Sequence, residues 1–275
     1  MKFSIITVNY NNRDGLLHTI ESVINQTYGD YEFIIIDGGS TDGSLEIIKQ
    51  YCSYITYWVS EPDKGIYNGM NKGIVQAKGT YINFMNSGDF FFENDTLEKI
   101  DRLMDNSDII VGKDFHQNLK NGEHFVSIAP LRISMATFYM STLPHQSAFI
   151  RRCLFHKAGY DETLHIVADW KFYLDKTVYE NKTVQILDLI ICNKEQDGIS
   201  NSNAYKVIEE RELVLSSILP PGIRKDYISL AMLDYHTLCK LLNMLDYDKT
   251  KKIISLFIKM LYRIYITFTP YIHNK

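Results

Sequence analysis

The stretch Phe33-Ile34-Ile35-Ile36-Asp37-Gly38-Gly39-Ser40-Thr41-Asp42-Gly43 decides the fold. Its first four residues form an unbroken apolar run, three of them β-branched, which is the pattern of a strand covered on both faces inside a parallel sheet. The run stops at an acid, so Asp37 stands at the strand's carboxyl end. Gly38, Gly39 and Gly43 tolerate left-handed backbone and close approach, and Ser40, Thr41 and Asp42 are candidates to cap a helix over residues 44–51. In open α/β sheets, ligands bind at that edge. Taken alone, the segment reads equally well as an ordinary strand-to-helix turn with a solvated Asp37.

Working outward, residues 3–8 form an earlier strand, followed by Asn9-Tyr10-Asn11-Asn12 and a helix over 13–26 with Leu16, Leu17, Ile20, Val23 and Ile24 on one face. A third strand over 56–60 leads through Glu61-Pro62-Asp63-Lys64-Gly65 into a helix over 66–77. In that helix Ile66 and Met70 read as inward and the polar residues, Lys72 among them, as facing water. The fourth strand, 80–85, stops at Asn86-Ser87-Gly88-Asp89. This alternation predicts a parallel sheet with right-handed crossovers and polar residues gathered at the strand ends.

Past a helix near 95–104 the pattern changes. Short strands at 108–111 and 124–128, around the turn-like Asn121-Gly122, predict a mixed-sheet region or hairpin. Leu143-Pro144-His145-Gln146-Ser147 precedes a helix near 152–158, then Gly159-Tyr160-Asp161-Glu162 leads into a helix containing Ala168-Asp169-Trp170, and 183–193 reads as a late strand. From 203 onward the pattern is helical, broken most clearly at Pro220-Pro221-Gly222.

At 275 residues and 45% hydrophobic content, the chain suits one α/β domain with an extension and has ample material for a core. Cys52, Cys153, Cys192 and Cys239 are scattered without a C-x-x-C pair, which argues against a zinc site or a disulfide framework and fits a reducing cytosol. The apolar stretch in residues 1–9 is too short for a signal peptide, and no segment reaches ~18 uninterrupted apolar residues. The expectation is a protein neither secreted nor membrane-spanning. The net charge of −4 hides an asymmetry: residues 249–275 carry six Lys or Arg and no acid, leaving 23 basic against 33 acidic side chains, a balance of −10, elsewhere. An acidic body argues against nonspecific nucleic-acid binding, which needs a basic footprint.

With these segments in order, the chain resembles the family 2 inverting glycosyltransferases of the GT-A fold, of the bacterial polysaccharide-biosynthesis type. Ile6-Thr7-Val8-Asn9-Tyr10-Asn11 is similar to the family's opening strand and loop, and Asp37-Gly38-Gly39-Ser40-Thr41-Asp42 to its second nucleotide loop. Asn71-Lys72-Gly73 through Ala77 and Gly79 is similar to the helix before its metal motif. His145-Gln146-Ser147 and Ala168-Asp169-Trp170 resemble its acceptor-side motifs. Five ordered motifs over roughly residues 1–195 are far more specific than any one of them.

The resemblance implies a Rossmann-like, mostly parallel central sheet flanked by helices, with a catalytic domain over 1–200 and a helical C-terminal extension over 201–275. It implies transfer of a sugar from a nucleotide-diphosphate donor, with UDP preferred, to an acceptor hydroxyl with inversion. Backside attack by a hydroxyl needs a base on the acceptor face, and by resemblance that base is Asp169. The diphosphate leaving group gathers negative charge, which a divalent cation, Mn or Mg, offsets through hard oxygen ligands. The family's usual D-x-D motif is here Asn86-Ser87-Gly88-Asp89, so Asp89 is the expected metal ligand and Asn86 positions the donor. His145 supplies a further ligand or a phosphate contact, or is a satisfied loop histidine.

For the nucleoside, Asp37 accepts from a base N–H and Tyr10 gives the aromatic contact. Asp63 reaches uracil or ribose, Lys64 reaches phosphate, and Val8 and Ser87 complete the donor side.

The tail sets Ile253, Ile254, Leu256, Phe257, Ile258, Met260, Leu261, Ile264, Tyr265 and Ile266 among Lys251, Lys252, Lys259 and Arg263. Such a helix suits the surface of an anionic membrane and hence a lipid-linked saccharide acceptor, with the enzyme cytoplasmic and peripheral on the inner face of the cell membrane. The alternative is a helix packed on the catalytic domain or a partner subunit.

Three rival functions touch parts of the chain. Asp37-Gly38-Gly39-Ser40-Thr41 matches a D-x-G-S-T phosphate loop of actin-like ATPases and sugar kinases, but that loop belongs in a hairpin, whereas Leu45, Ile47, Ile48 and Tyr51 have helical spacing. A phosphatase of the haloacid-dehalogenase type wants D-x-D-x-T, and Gly39 occupies the place of its second acid. The altered metal motif also admits a nucleotide-sugar-binding module without catalysis.

Overall fold

A computed structural model of the chain describes residues 1–117, 124–127, 130, 132–156, 159–194, 203–232 and 235–272, with side chains at 117, 235, 236, 239, 242 and 264–272 outside that description. The order of the first third follows the sequence pattern: β1 (Phe3–Asn9), α1 (Arg13–Ile24), β2 (Tyr31–Asp37), α2 (Ser44–Gln50), β3 (Tyr57–Ser60), α3 (Ile66–Gln76) and β4 (Tyr81–Phe84). These four strands pair in parallel in the order β3-β2-β1-β4.

Beyond them the sheet is mixed, as the change of pattern predicts. β5 (Phe90–Phe91), α4 (Thr96–Leu103), β6 (Ile109–Gln117), β7 (His124–Val126), α5 (Met135–Met140), β8 (Ala148–Arg151), α6 (Ala168–Leu174) and β9 (Val184–Lys194) follow. The full order is β3-β2-β1-β4-β8-β6-β9-β5, with β7 on the side of β6. β8 runs antiparallel to both β4 and β6, so the parallel arrangement does not extend past β4 except where β9 lies beside β6.

The unbroken apolar run in β2 is explained by burial on both faces. Ile34 and Ile36, with Ile6 and Val8 of β1, face a core built from Met70 of α3 and Trp170 and Tyr173 of α6. Phe33 and Ile35, with Phe3 and Ile5, face Leu16 and Ile20 of α1, Ile47 of α2 and Ile100 of α4. A fully buried Ile or Phe contributes about 1.5–3 kcal/mol.

Gly69 and Gly73 let α3 lie close on β1: a Cβ there would stand 2.7 Å from Val8 Cγ1 and 2.5 Å from Ile6 Cγ2.

Several short elements differ from the expectation. The helix expected over 152–158 is one 3-10 turn, Arg152–Phe155, with residues 157–158 outside the described set. β5, α5 and β8 span at most six residues each, too few for a periodic pattern to announce them. The turn Asn121-Gly122 and the expected boundary at residue 200 also lie outside the described residues.

The C-terminal region forms α7 (Ala204–Ile218), α8 (Pro221–Leu230), α9 (Tyr235–Leu245) and α10 (Asp248–Ile272). Proline stands at the start of α8, where its missing N–H costs nothing. Val214 and Leu215 of α7 and the following Leu219 belong to the same core as α6. In α10, Ile253, Leu256, Phe257, Ile258, Met260 and Leu261 are exposed, so over these described residues the helix is not packed on the catalytic domain. Among the described residues no helix is long and apolar enough to cross a membrane.

Candidate active site

The carboxyl ends of β1, β2, β3 and β4 open into a cleft of about 1050 Å³, at the upper end of the range of small-molecule sites. Val8, Tyr10, Asp63, Asn86, Ser87 and Asp89 line it from the strand ends, and His145, Asp169, Trp170 and Arg211 line it as well. Asp37 and Lys64 are not on its wall. Lys64 is exposed and borders a small neighbouring recess with Glu162 and His165.

Asp37 lies behind the wall, 0% exposed. Its Oδ1 accepts from Asn9 Nδ2 (2.7 Å) and Ser40 Oγ (2.5 Å), and its Oδ2 from Ser60 Oγ (2.6 Å) and the Ser40 N–H (3.0 Å). Burial pushes the carboxyl's pKa up, but the hydrogen bonds from Ser40, Ser60 and Asn9 outweigh it and hold the group below its ordinary range. The loops after β1 and β2 are laced together further out. Asn11 N–H donates to Ser40 Oγ (2.8 Å), Thr41 N–H to Asn11 Oδ1 (2.9 Å) and Arg13 N–H to Asp42 Oδ2 (2.8 Å).

None of the candidate caps stands at the N-cap of α2, which is Gly43 with a left-handed φ of 97°; Asp42, one position earlier, accepts through Oδ1 from Ser44 N–H (3.1 Å) and Oγ (2.6 Å). The chain passes from strand to helix here, not through a hairpin, which removes the context of a kinase-type phosphate loop.

Beside Asp37, Gly38 allows a close approach. A Cβ there would meet Asp63 Oδ2 at 2.7 Å and Tyr10 Cδ2 at 3.2 Å, so only a residue without one leaves both side chains at the cleft. Tyr10 is 66% exposed, an aromatic face on the rim.

The Asn86-to-Asp89 turn is held by α1. Thr19 Oγ1 donates to the Asp89 carbonyl (2.7 Å) and accepts from Gly88 N–H (3.0 Å), and Asn12 Nδ2 donates to the Ser87 carbonyl (3.1 Å). Asp89 is buried, and Asn86 Oδ1 is buried without a hydrogen-bond partner in the protein. Among the described residues no three His, Cys, Asp or Glu side chains cluster as a metal cage. The donor set nonetheless fits a hard cation of the Mg or Mn type, which commonly binds through one or two protein oxygens and completes its shell with substrate phosphates and water.

Asp169 sits in the first turn of α6, half-buried. Tyr67 Oη lies 2.7 Å from its Oδ1 and 2.7 Å from the Ile166 carbonyl. Burial, and then the negative charge of Asp169, raise the Tyr67 pKa well above its ordinary value, so the phenol stays a donor. The expectation that the polar residues of α3 face water therefore fails at Tyr67, which is buried. It holds for Lys72, half-buried and paired with Glu61 at 2.8 Å.

His145 stacks on Phe84 with centroids 5.3 Å apart, and its Nε2 is 3.0 Å from Tyr160 Oη. Burial lowers its pKa, so the ring is neutral at pH 7.

Three cleft residues carry no signal in a single sequence. Asp114 of β6 is 3% exposed and accepts from Ser147 Oγ; burial raises its pKa, partly offset by that bond and by Lys194. Lys194 closes β9, and Arg211 comes from α7. The register that sets Asp114 opposite Cys192 and His116 opposite Lys194 brings these groups together across strands remote in sequence.

With this geometry in view, comparison with known proteins gives a consistent result. A sequence profile described as Glycosyl transferase family 2 matches residues 4–157. An uncharacterised glycosyltransferase of Mycobacterium tuberculosis is 32% identical over 204 residues, 72% of this chain and 76% of that protein. Among solved structures, S. aureus TarS 1–349 in complex with UDP-GlcNAc aligns at a TM-score of 0.62 with 20% identity, over 82% of this chain and 70% of that one. The chain covers 42% of the longer TarS chain. The mannosyltransferase PcManGT of Pyrobaculum calidifontis, in complex with GDP-Man and Mn2+, aligns at 0.59 with 14% identity, over 98% of this chain and 83% of that one. At these identities the two structures establish a shared GT-A fold.

Proposed function

Because the chain belongs to glycosyl transferase family 2, we propose that it transfers a sugar, with inversion, from a UDP-sugar to a hydroxyl of a lipid-linked saccharide in the building of a cell-surface polysaccharide. The observation that carries this reading is that Tyr10, Asp63, Asn86 and Asp89 at the strand ends and Asp169 of α6 all line one cleft. The UDP-GlcNAc bound to TarS supports the choice of nucleotide.

In this reading Tyr10 covers the base, and Asp63 accepts from base or ribose. Val8 and Ser87 shape the donor side, and Lys64 reaches toward phosphate from the rim. Asp89 and Asn86 would hold a divalent cation, which would supply positive charge against the departing diphosphate. The Mn2+ in the PcManGT complex supports that choice.

The acceptor oxygen attacks the anomeric carbon from the face opposite the diphosphate while its proton passes to the Asp169 carboxylate. Tyr67, donating to the same carboxylate, fixes which oxygen is free for that proton.

The test is incubation with a panel of nucleotide sugars and divalent cations, following nucleotide diphosphate release with and without lipid-linked saccharide acceptors. Acceptor-dependent release is expected, with EDTA lowering it by roughly 10²-fold or more and Mn or Mg restoring it. Asp89→Ala should lose most of that cation response. Donor binding without turnover under every condition would instead mark a binding module.

The tail follows the same reading. Its exposed apolar face and its Lys251, Lys252, Lys259 and Arg263 suit the inner, anionic face of the cell membrane. Deleting residues 256–275 is expected to abolish co-sedimentation with anionic vesicles. Equal binding by the shortened chain would overturn membrane attachment through this tail.

A further inference from the structure

The short helix that carries Asp169 has no side-chain cap from its own N-cap residue. Its N-cap position is Val167, whose side chain accepts nothing, and the N–H groups of Val167 and of the two residues leading into it need acceptors. They find them on α7. Glu210, 8% exposed, accepts from His165 N–H (2.9 Å) through Oε1, and from Ile166 N–H (2.9 Å) and Val167 N–H (3.2 Å) through Oε2. Three successive N–H groups thus converge on one buried carboxylate, two residues before the proposed base.

The next residue strengthens the same contact. Arg211 sets its guanidinium over the Trp170 ring, 5.0 Å from the centroid, and its Nη2 donates to the Ser141 carbonyl at 3.1 Å. Trp170 in turn donates from Nε1 to the Phe138 carbonyl at 2.8 Å. Asp169 is therefore held through its neighbours from α5 and α7 and directly by Tyr67 of α3.

We propose that Glu210 is the positioning residue of the catalytic base: by fixing the backbone of residues 165–167 it sets where the Asp169 carboxylate stands in the cleft, which makes α7 part of the transfer machinery. The inference rests on the reading of Asp169 as base. Glu210 touches neither donor nor acceptor in this role. Its loss moves the first turn of α6, and a displacement of about 1 Å at a reacting group costs on the order of 10²-fold in rate.

The test uses the full-length protein, with kcat normalised to donor-binding sites counted by calorimetry. Glu210→Ala is expected to lower kcat roughly 10- to 100-fold with donor Kd unchanged, and Glu210→Gln, which keeps one acceptor oxygen, to recover a large part of it. Ile100→Ala, a core truncation in α4, controls for lost stability alone: it should lower Tm and leave kcat per binding site as in the wild type. In an Asp169→Asn background, adding Glu210→Ala should cost nothing further, because both changes remove the same step.

A wild-type kcat in Glu210→Ala, or losses that multiply in the double variant, would overturn the positioning role while leaving the transferase reading intact. Absence of turnover by the wild type with every donor would overturn both.

Discussion

Asp169→Asn is expected to lower kcat by roughly 10³-fold, within the 10²–10⁴ that a positioned general base contributes. The amide has nearly the size of the carboxylate and can still accept from Tyr67 Oη through its carbonyl oxygen, so the first turn of α6 keeps its place. What disappears is the capacity to take the acceptor's proton. Donor affinity should not change, because Tyr10, Asp63 and the Asn86-to-Asp89 turn belong to other elements of the cleft. The measurement is a pair: calorimetric binding of the donor, and diphosphate release at saturating acceptor. Turnover equal to the wild type would remove Asp169 from the reaction, and a parallel loss of donor binding would show that the residue acts on the donor side.

Asp37→Ala has the second large effect, and it falls on the fold and the donor together. The substitution strands Asn9 Nδ2, Ser40 Oγ, Ser60 Oγ and the Ser40 N–H around a cavity, groups that now converge on one buried anion. Breaking such a charge-assisted set costs about 3–5 kcal/mol. It should also weaken donor binding more than it slows the bound complex, since the loops bearing Tyr10 and Gly38 lose their common anchor.

The pH dependence has a definite sign. The native carboxyl ionises below its ordinary 3.8, so its contribution is complete at neutral pH and is lost as pH falls through 3.8 toward the native value. Asp37→Asn should therefore flatten the acid limb of the stability profile. A denaturant series between neutral pH and the acid transition measures both effects, and an Asp37→Ala protein as stable as the wild type would mean that the four donors find other partners.

The sheet edge was legible because its signals are local. Each of the first four strands ends at its own polar stretch, and parallel pairing brings those ends together without knowledge of any side-chain contact. The role of Asp37 was less legible. An acid at a strand end looks the same in sequence whether it faces a ligand or, as here, the donors of its own loops.

The rest of the cleft was readable only through family resemblance at Asp169 and His145. Tyr67 meets Asp169 across 102 positions, and the Glu210 bonds span 43 to 45. No period or spacing encodes such pairs. Asp114 was hidden for a related reason: it lies within a strand whose pairing with β8 and β9 was not foreseen.

The dependence of α6 on α7 also bears on how this architecture can be recombined. The segment matched by the family profile ends at residue 157, ahead of Asp169 and of the helix whose Glu210 caps the entry to α6. A chimera joined between α6 and α7 would keep every matched residue yet pair one parent's base with the other parent's support. A junction placed before His165 lets the two travel together, so the placement of the base in such hybrids should be inherited with residues 165–275 as one block.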